Sequence, residues 1–281
     1  MRKILYIFLM LAFSVSATAQ RWQSSQPFHS EKLSQDLPYA VVLPAGYEAN
    51  PEARYPVVYL THGIGCTPDD WNDKYIQFEK TLKQLEAEGL GDMIYIFPTG
   101  FNSYYSNTYD GKYPYMDMFI EEFIPFIDGK YRTIADREHR ATIGFSMGGF
   151  GAMVLPLRNT DTFCFSAPLS MSFRTDEMYL DEPLKWWNEQ WGSIFGGVDQ
   201  EGEGRLTDYY KAHCPYYMFT KENLEGPLEE YIRGNEWPMG KVMNCLRLAM
   251  VGGSNGLGIA DIVTLIGKEE FARRIDFIKA T

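Results

Sequence analysis

The 281-residue chain carries 26 Lys and Arg against 37 Asp and Glu, a formal charge of −11. That length is enough to bury one sizeable core and carry an appendage. Basic residues are interspersed with acids and form no stripe, so the composition argues against a polyanion such as nucleic acid as partner.

Met1-Arg2-Lys3 is a short basic lead, residues 4–15 are apolar, and Ala17-Thr18-Ala19 is a small-x-small cleavage signal. Residues 1–19 are therefore expected to be a signal peptide, with the mature protein secreted or periplasmic. The apolar run is shorter than the roughly 20 residues of a spanning helix, so no stable membrane insertion is expected after cleavage. Residues 37–43 and 55–61 read as strands, 75–88 as an amphipathic helix and 93–97 as a further strand. Residues 102–114, rich in Tyr, Asn, Ser and Gly, read as a surface loop. Residues 115–126 have apolar positions at helical spacing with acids between them, and 141–145 and 163–169 read as buried strands. Trp186, Trp187 and Trp191 fall in a longer insertion, where they either line an aromatic cleft or pack the insertion onto the sheet; packing is the favoured reading.

The chemistry concentrates at Gly144-Phe145-Ser146-Met147-Gly148. A β-branched strand end, a Gly-x-Ser-x-Gly turn and a run of small residues able to wind on as a helix make a nucleophile elbow. The glycines are required because the turn is tight and the serine backbone strained. Upstream, the strand over 55–61 runs into His62-Gly63-Ile64-Gly65. A loop there supplies one backbone donor and the residue after the serine another, so the amides of Ile64 and Met147 are the expected oxyanion hole. Cys66, Cys164, Cys214 and Cys245 are widely spaced with no Cys-x-x-Cys, which gives no support to a metal site. Export would permit a disulfide, whose pairing stays open.

These motifs, together with Tyr39-Ala-Val-Val-Leu-Pro-Ala-Gly-Tyr47, Asp69-Asp70-Trp71 and Ile96-Phe-Pro-Thr-Gly100, resemble the secreted esterase-D-like branch of the α/β hydrolases. That branch includes feruloyl and acetyl-xylan esterases and is related to the mycolyltransferases. The resemblance spans about residues 30–220 and implies an α/β-hydrolase fold, Ser146 as nucleophile, and an acid and a histidine later in the chain. The four histidines are His29, His62, His139 and His213, so His213 is the only one after Ser146. It is the candidate base and Asp176, just after the strand at 163–169, the candidate acid, although the family's late Asp and His are themselves missing.

From about 224 to 281 the chain instead resembles the helical anticodon-binding end of bacterial glutamyl-tRNA synthetases. Trp237-Pro-Met-Gly-Lys-Val-Met-Asn-Cys-Leu-Arg-Leu-Ala249, Asp261-Ile262 and Ile266-Gly-Lys-Glu-Glu270 carry that likeness. Helices are expected over 228–233, 240–251 and 268–278. The synthetase's nucleotide-binding motifs are absent, so this tail cannot charge tRNA. The glycine-rich stretch over 250–260 superficially resembles a dinucleotide turn, but too few residues follow it to build that site. No cofactor is expected.

The expected architecture is a signal peptide over 1–19, an incomplete α/β-hydrolase domain over 20–223, and a short helical segment over 224–281. Losing the last strands leaves an open sheet edge, where each buried unpaired backbone group costs about 1–3 kcal/mol. Two unrelated coding segments joined near 215–235 account for this pattern. The expected function is a secreted serine carboxyl-ester hydrolase acting on a small-molecule or polysaccharide ester, with turnover impaired by the missing acid and base. A non-catalytic glycan- or ester-binding remnant is the alternative, followed by a tRNA-interacting tail.

Overall fold

Alternation of apolar residues along the central strands sends Val57 and Tyr59 to one face of the sheet and Val58 and Leu60 to the other, so that both faces bury a core. The computed structural model describes residues 21–171 and 174–218, with 232, 233, 238 and 240 as isolated positions. In chain order the strands are β1 (Trp22–Gln26), β2 (His29–Ser30), β3 (Gln35–Asp36), β4 (Tyr39–Val42), β5 (Val57–Thr61), β6 (Ile94–Phe97), β7 (Arg140–Phe145) and β8 (Phe165–Leu169). Six of them form one sheet in the order β1-β4-β6-β5-β7-β8; β2 and β3 form a separate hairpin. Within the sheet β1, β4 and β6 pair antiparallel, whereas β6, β5, β7 and β8 run parallel.

The helices are α1 (Phe78–Ala87), α2 (Tyr115–Met118), α3 (Ile124–Lys130), α4 (Met147–Arg158), α5 (Asp176–Leu180), α6 (Leu184–Trp186), α7 (Ser193–Phe195), α8 (Asp208–His213) and α9 (Pro215–Met218). One face of the sheet packs Trp71, Phe78 and Leu82 around Trp22, Tyr95 and Phe97. The other packs α4 through Phe150, Val154 and Leu155, and the helical run over 115–130 through Tyr115, Phe119, Phe123 and Ile127. That run is longer than the expected 115–126 and passes through a wide π-type turn at Phe119–Phe123. No described helix is long and apolar enough to cross a membrane.

Three expectations need correction. The loop over 102–114 is not confined to the surface: Ser103, Tyr104, Tyr105 and Ser106 are all buried. Tyr104 packs 4.3 Å from the Trp191 ring, and the Tyr105 ring fills the space left by two glycines, Gly100 and Gly151. The helix expected over 75–88 starts only at Phe78. A π-type turn, Trp71–Tyr75, comes first, and Gln77 breaks the path at φ 48°. Lastly, β8 is not buried: Phe165 is 45% and Leu169 46% exposed, because no described strand lies beyond it.

Trp187 and Trp191 are fully buried, so these two pack the insertion onto the core, while Trp186 is exposed. Cys66 and Cys164 are free thiols. The signal-peptide expectation over 1–19, Cys245 and almost all of the tail over 224–281 lie outside the described residues.

Candidate active site

Ser146 stands between the end of β7 and the start of α4 at φ 57° and ψ −117°, a backbone conformation that non-glycine residues rarely adopt. Holding it costs of order 1–3 kcal/mol, supplied by the surrounding packing. The steric reason for the flanking glycines is direct. A Cβ on Gly144 would sit 1.9 Å from the Gly148 carbonyl oxygen, and one on Gly148 would sit 2.0 Å from the Thr61 carbonyl oxygen. Thr61 Oγ1 closes the crossing by donating to the Gly148 carbonyl at 2.7 Å. The amide of Ser146 donates to the Leu169 carbonyl at 3.0 Å, which ties the turn to the end of β8.

The loop after β5 lies against this serine. A Cβ on Gly63 would be 3.5 Å from Ser146 Cβ and 3.6 Å from the Phe145 carbonyl oxygen. His62 fixes the loop's shape. It is 1% exposed, its Nε2 accepts the Gly100 amide at 2.8 Å, and its Nδ1 lies 2.8 Å from the Gly63 carbonyl oxygen. With Nε2 accepting, Nδ1 carries the proton and donates, so the ring is neutral. Burial reinforces this by holding the His62 pKa below the ordinary histidine value. The Gly63 carbonyl and the Ile64 amide belong to one planar trans peptide, so anchoring the first aims the second. Tyr105 braces the same loop, accepting the His62 amide at 2.8 Å and donating to the His62 carbonyl at 3.1 Å.

Among the described residues the amides of Ile64 and Met147 take no protein acceptor. Met147 is the first residue of α4, where amides have no partner within the helix and the dipole favours negative charge. The serine turn and the loop after β5 are thus brought together as two elements facing one another.

The acid and base expected from the sequence are not brought to this place. His213 ends α8, with Nδ1 2.8 Å from the Tyr209 carbonyl oxygen and its ring stacked 3.8 Å from that of Tyr209. The adjacent Ala212 carbonyl receives Arg158 at 2.9 Å. Arg158 closes α4 whereas Ser146 opens it, and twelve residues at 1.5 Å each separate the two ends by about 18 Å. Asp176 opens α5, where its carboxylate accepts the hydroxyls of Tyr210, at 3.1 Å, and Tyr217. It holds helices together rather than orienting a histidine. Among the described residues the Ser146 hydroxyl takes no hydrogen-bond partner.

Sequence reasoning missed two tyrosines at the site. Tyr105 sat in what read as a turn-rich loop, with no periodicity to mark it as buried. Tyr75 read as the first residue of a helix, yet its hydroxyl accepts the Gly63 amide at 3.2 Å beside Ser146. Only its closeness in sequence to Asp69-Asp70-Trp71 hinted at such a position.

Comparison with known proteins agrees with this geometry. The esterase family ("Putative esterase") matches residues 30–213, and the anticodon-binding domain family matches residues 208–279. An endo-1,4-beta-xylanase/feruloyl esterase of Xylanibacter ruminicola is 32% identical over 167 residues, covering 56% of this chain and 22% of that protein. A glutamate–tRNA ligase of Flavobacterium johnsoniae is 47% identical over 125 residues, covering 40% of this chain and 25% of the ligase. The chain therefore spans only about a quarter or less of these relatives. A solved ferulic acid esterase superposes with a TM-score of 0.57 at 29% identity, covering 71% of this chain and 72% of that one. The sheet is that of an α/β hydrolase, and two unrelated families meet in one polypeptide. Over residues 30–213, the chain belongs to the esterase family.

Proposed function

We propose that residues 30–213 carry a secreted serine carboxyl-ester hydrolase site whose turnover in this chain is slow. The observation that carries the reading is Ser146, held at φ 57° at the start of α4 with the Gly63 loop packed against it. In this reading Ser146 Oγ bonds to the acyl carbon and the carbonyl electron pair moves onto oxygen. The amides of Ile64 and Met147 receive that anion. The tetrahedral species then expels the alcohol, which takes up the serine's proton, and water releases the acid in a second cycle.

Proton transfer is the impaired step. His213 is held at the far end of α4, and none of the other three histidines follows the serine in sequence. An oxyanion hole without a working triad retains only about 10³- to 10⁴-fold acceleration over water. An acylated polysaccharide fits as substrate, because a relative bears the name of a xylanase and feruloyl esterase. The poor provision for proton transfer equally favours a second reading, an ester-binding remnant that does not turn over.

The test is incubation of the full chain with a fluorophosphonate, followed by peptide mass spectrometry. The expected outcome is slow phosphonylation confined to Ser146 and lost in Ser146→Ala. Labelling at another residue, or none at Ser146 after prolonged exposure, contradicts the nucleophile assignment. A labelled Ser146 with ester hydrolysis unchanged by Ser146→Ala supports the binding remnant instead.

A further inference from the structure

Tyr75 is the polar side chain that the path of the chain turns toward the serine. Residues 75–88 have the spacing of a continuous helix, but the structure divides them. The π-type turn Trp71–Tyr75 ends at Tyr75, and Gln77 takes a left-handed conformation at φ 48° before α1 begins. Insertions of this kind re-aim one side chain and concentrate at functional sites.

The ring is clamped on two sides, 5.4 Å from Trp71 and 5.1 Å from Phe145, the residue immediately before the nucleophile. Its hydroxyl oxygen accepts the Gly63 amide at 3.2 Å. A Cβ placed on Gly63 would lie 3.2 Å from that oxygen and 3.5 Å from Ser146 Cβ, so both groups border the same small space. A phenol has one proton to give. Because its oxygen already receives Gly63 N–H, that proton is directed away from Gly63. Burial and a side-chain hydrogen bond with Cys66 raise the Tyr75 pKa, so the hydroxyl stays protonated across the neutral range, and an oxyanion, a stronger acceptor than a thiol, draws its one proton away from Cys66.

We propose that Tyr75 is a third hydrogen-bond donor of this site, its phenolic O–H serving the oxygen that becomes negative when Ser146 adds to an acyl carbon. This inference rests on the reading of Ser146 as nucleophile. The ligand chemistry it implies is a tetrahedral oxyanion met by two amides and one phenol. The phenol is also the only one of the three donors supplied by a side chain, and therefore the one open to substitution.

The experiment measures hydrolysis of p-nitrophenyl acetate by the full chain and by Tyr75→Phe, Ser146→Ala, and a chain with 3,5-difluorotyrosine at position 75. Tyr75→Phe keeps both ring contacts and removes only the hydroxyl. It should lower kcat about 100-fold with KM little changed, and lower the thermal midpoint modestly because the Gly63 amide loses its acceptor. Difluorotyrosine is a stronger donor and a weaker acceptor, so a donor role keeps the rate at or above the unsubstituted level below the pH where that phenol ionises. A residue that merely holds the Gly63 amide by accepting its proton would instead show a falling rate with difluorotyrosine. That result, or a Ser146-dependent rate indifferent to Tyr75→Phe, overturns the role of Tyr75 alone. A rate that survives Ser146→Ala overturns the serine reading and the third donor with it.

Discussion

His62 shows how one buried side chain sets the direction of a backbone donor several bonds away. Its two ring nitrogens are committed to Gly63 and Gly100, and only the neutral ring serves both. The sequence places this histidine in the loop after β5, because the strand end and the glycines are local signals. It does not reveal the Gly100 contact, which joins positions 38 residues apart. A stability prediction follows from the lowered pKa of His62. Below the ordinary histidine value of about 6.5 the unfolded chain takes up a proton that the folded chain refuses. The stabilisation is therefore complete above that pH, declines as pH falls toward the depressed folded value, and is constant below it. His213, also lowered by burial, adds in the same direction. Urea midpoints between pH 7.5 and pH 5 should fall more steeply for the natural chain than for His62→Asn, which retains a donor near the Nδ1 position but cannot be charged. Parallel curves would refute the assignment.

Among the elements, strands were the most legible, because alternation and β-branched runs are written within five or six residues. β4, β5, β6 and β7 all fall within the stretches expected for them or extend one residue beyond. The turn at Ser146 was equally plain, since its glycines answer to backbone atoms that any chain of this path must bring close. The segment holding Tyr104 and Tyr105 was misread for an opposite reason. Its Asn, Ser and Gly content speaks for turns, while its burial comes from rings distant in sequence, Trp191 and Phe150. Tyr105 is the pin that joins this segment to the loop after β5. Replacing it by Phe leaves the ring in place but strips the buried His62 amide of its acceptor. The expected loss is about 1–3 kcal/mol of unfolding free energy. Chemical denaturation checks it, and an unchanged midpoint would mean that another group or water satisfies that amide.

At the scale of the whole molecule, the chain holds a hydrolase sheet of six strands among the described residues and then passes into a segment related to a different family. The junction was legible, because both halves carry specific motifs. The proton-transfer partners were not. A triad is recognised by distances between groups far apart in sequence, and nothing local separates a catalytic Asp176 from one that caps tyrosines. The exposed edge at β8, with Phe165 and Leu169 open, agrees with a sheet cut short among the described residues.

The proposed site is a serine and oxyanion hole in working order but poorly supplied with a base. It is tested most directly by adding imidazole to the full chain and to Ser146→Ala during p-nitrophenyl acetate hydrolysis, with Ser146→Ala as the blank for imidazole's own reaction. A slow basal rate is expected, with an increase with imidazole well beyond that blank. A rate typical of enzymes, about 10 s⁻¹ without imidazole, would contradict it, as would identical behaviour of the two proteins at every imidazole concentration.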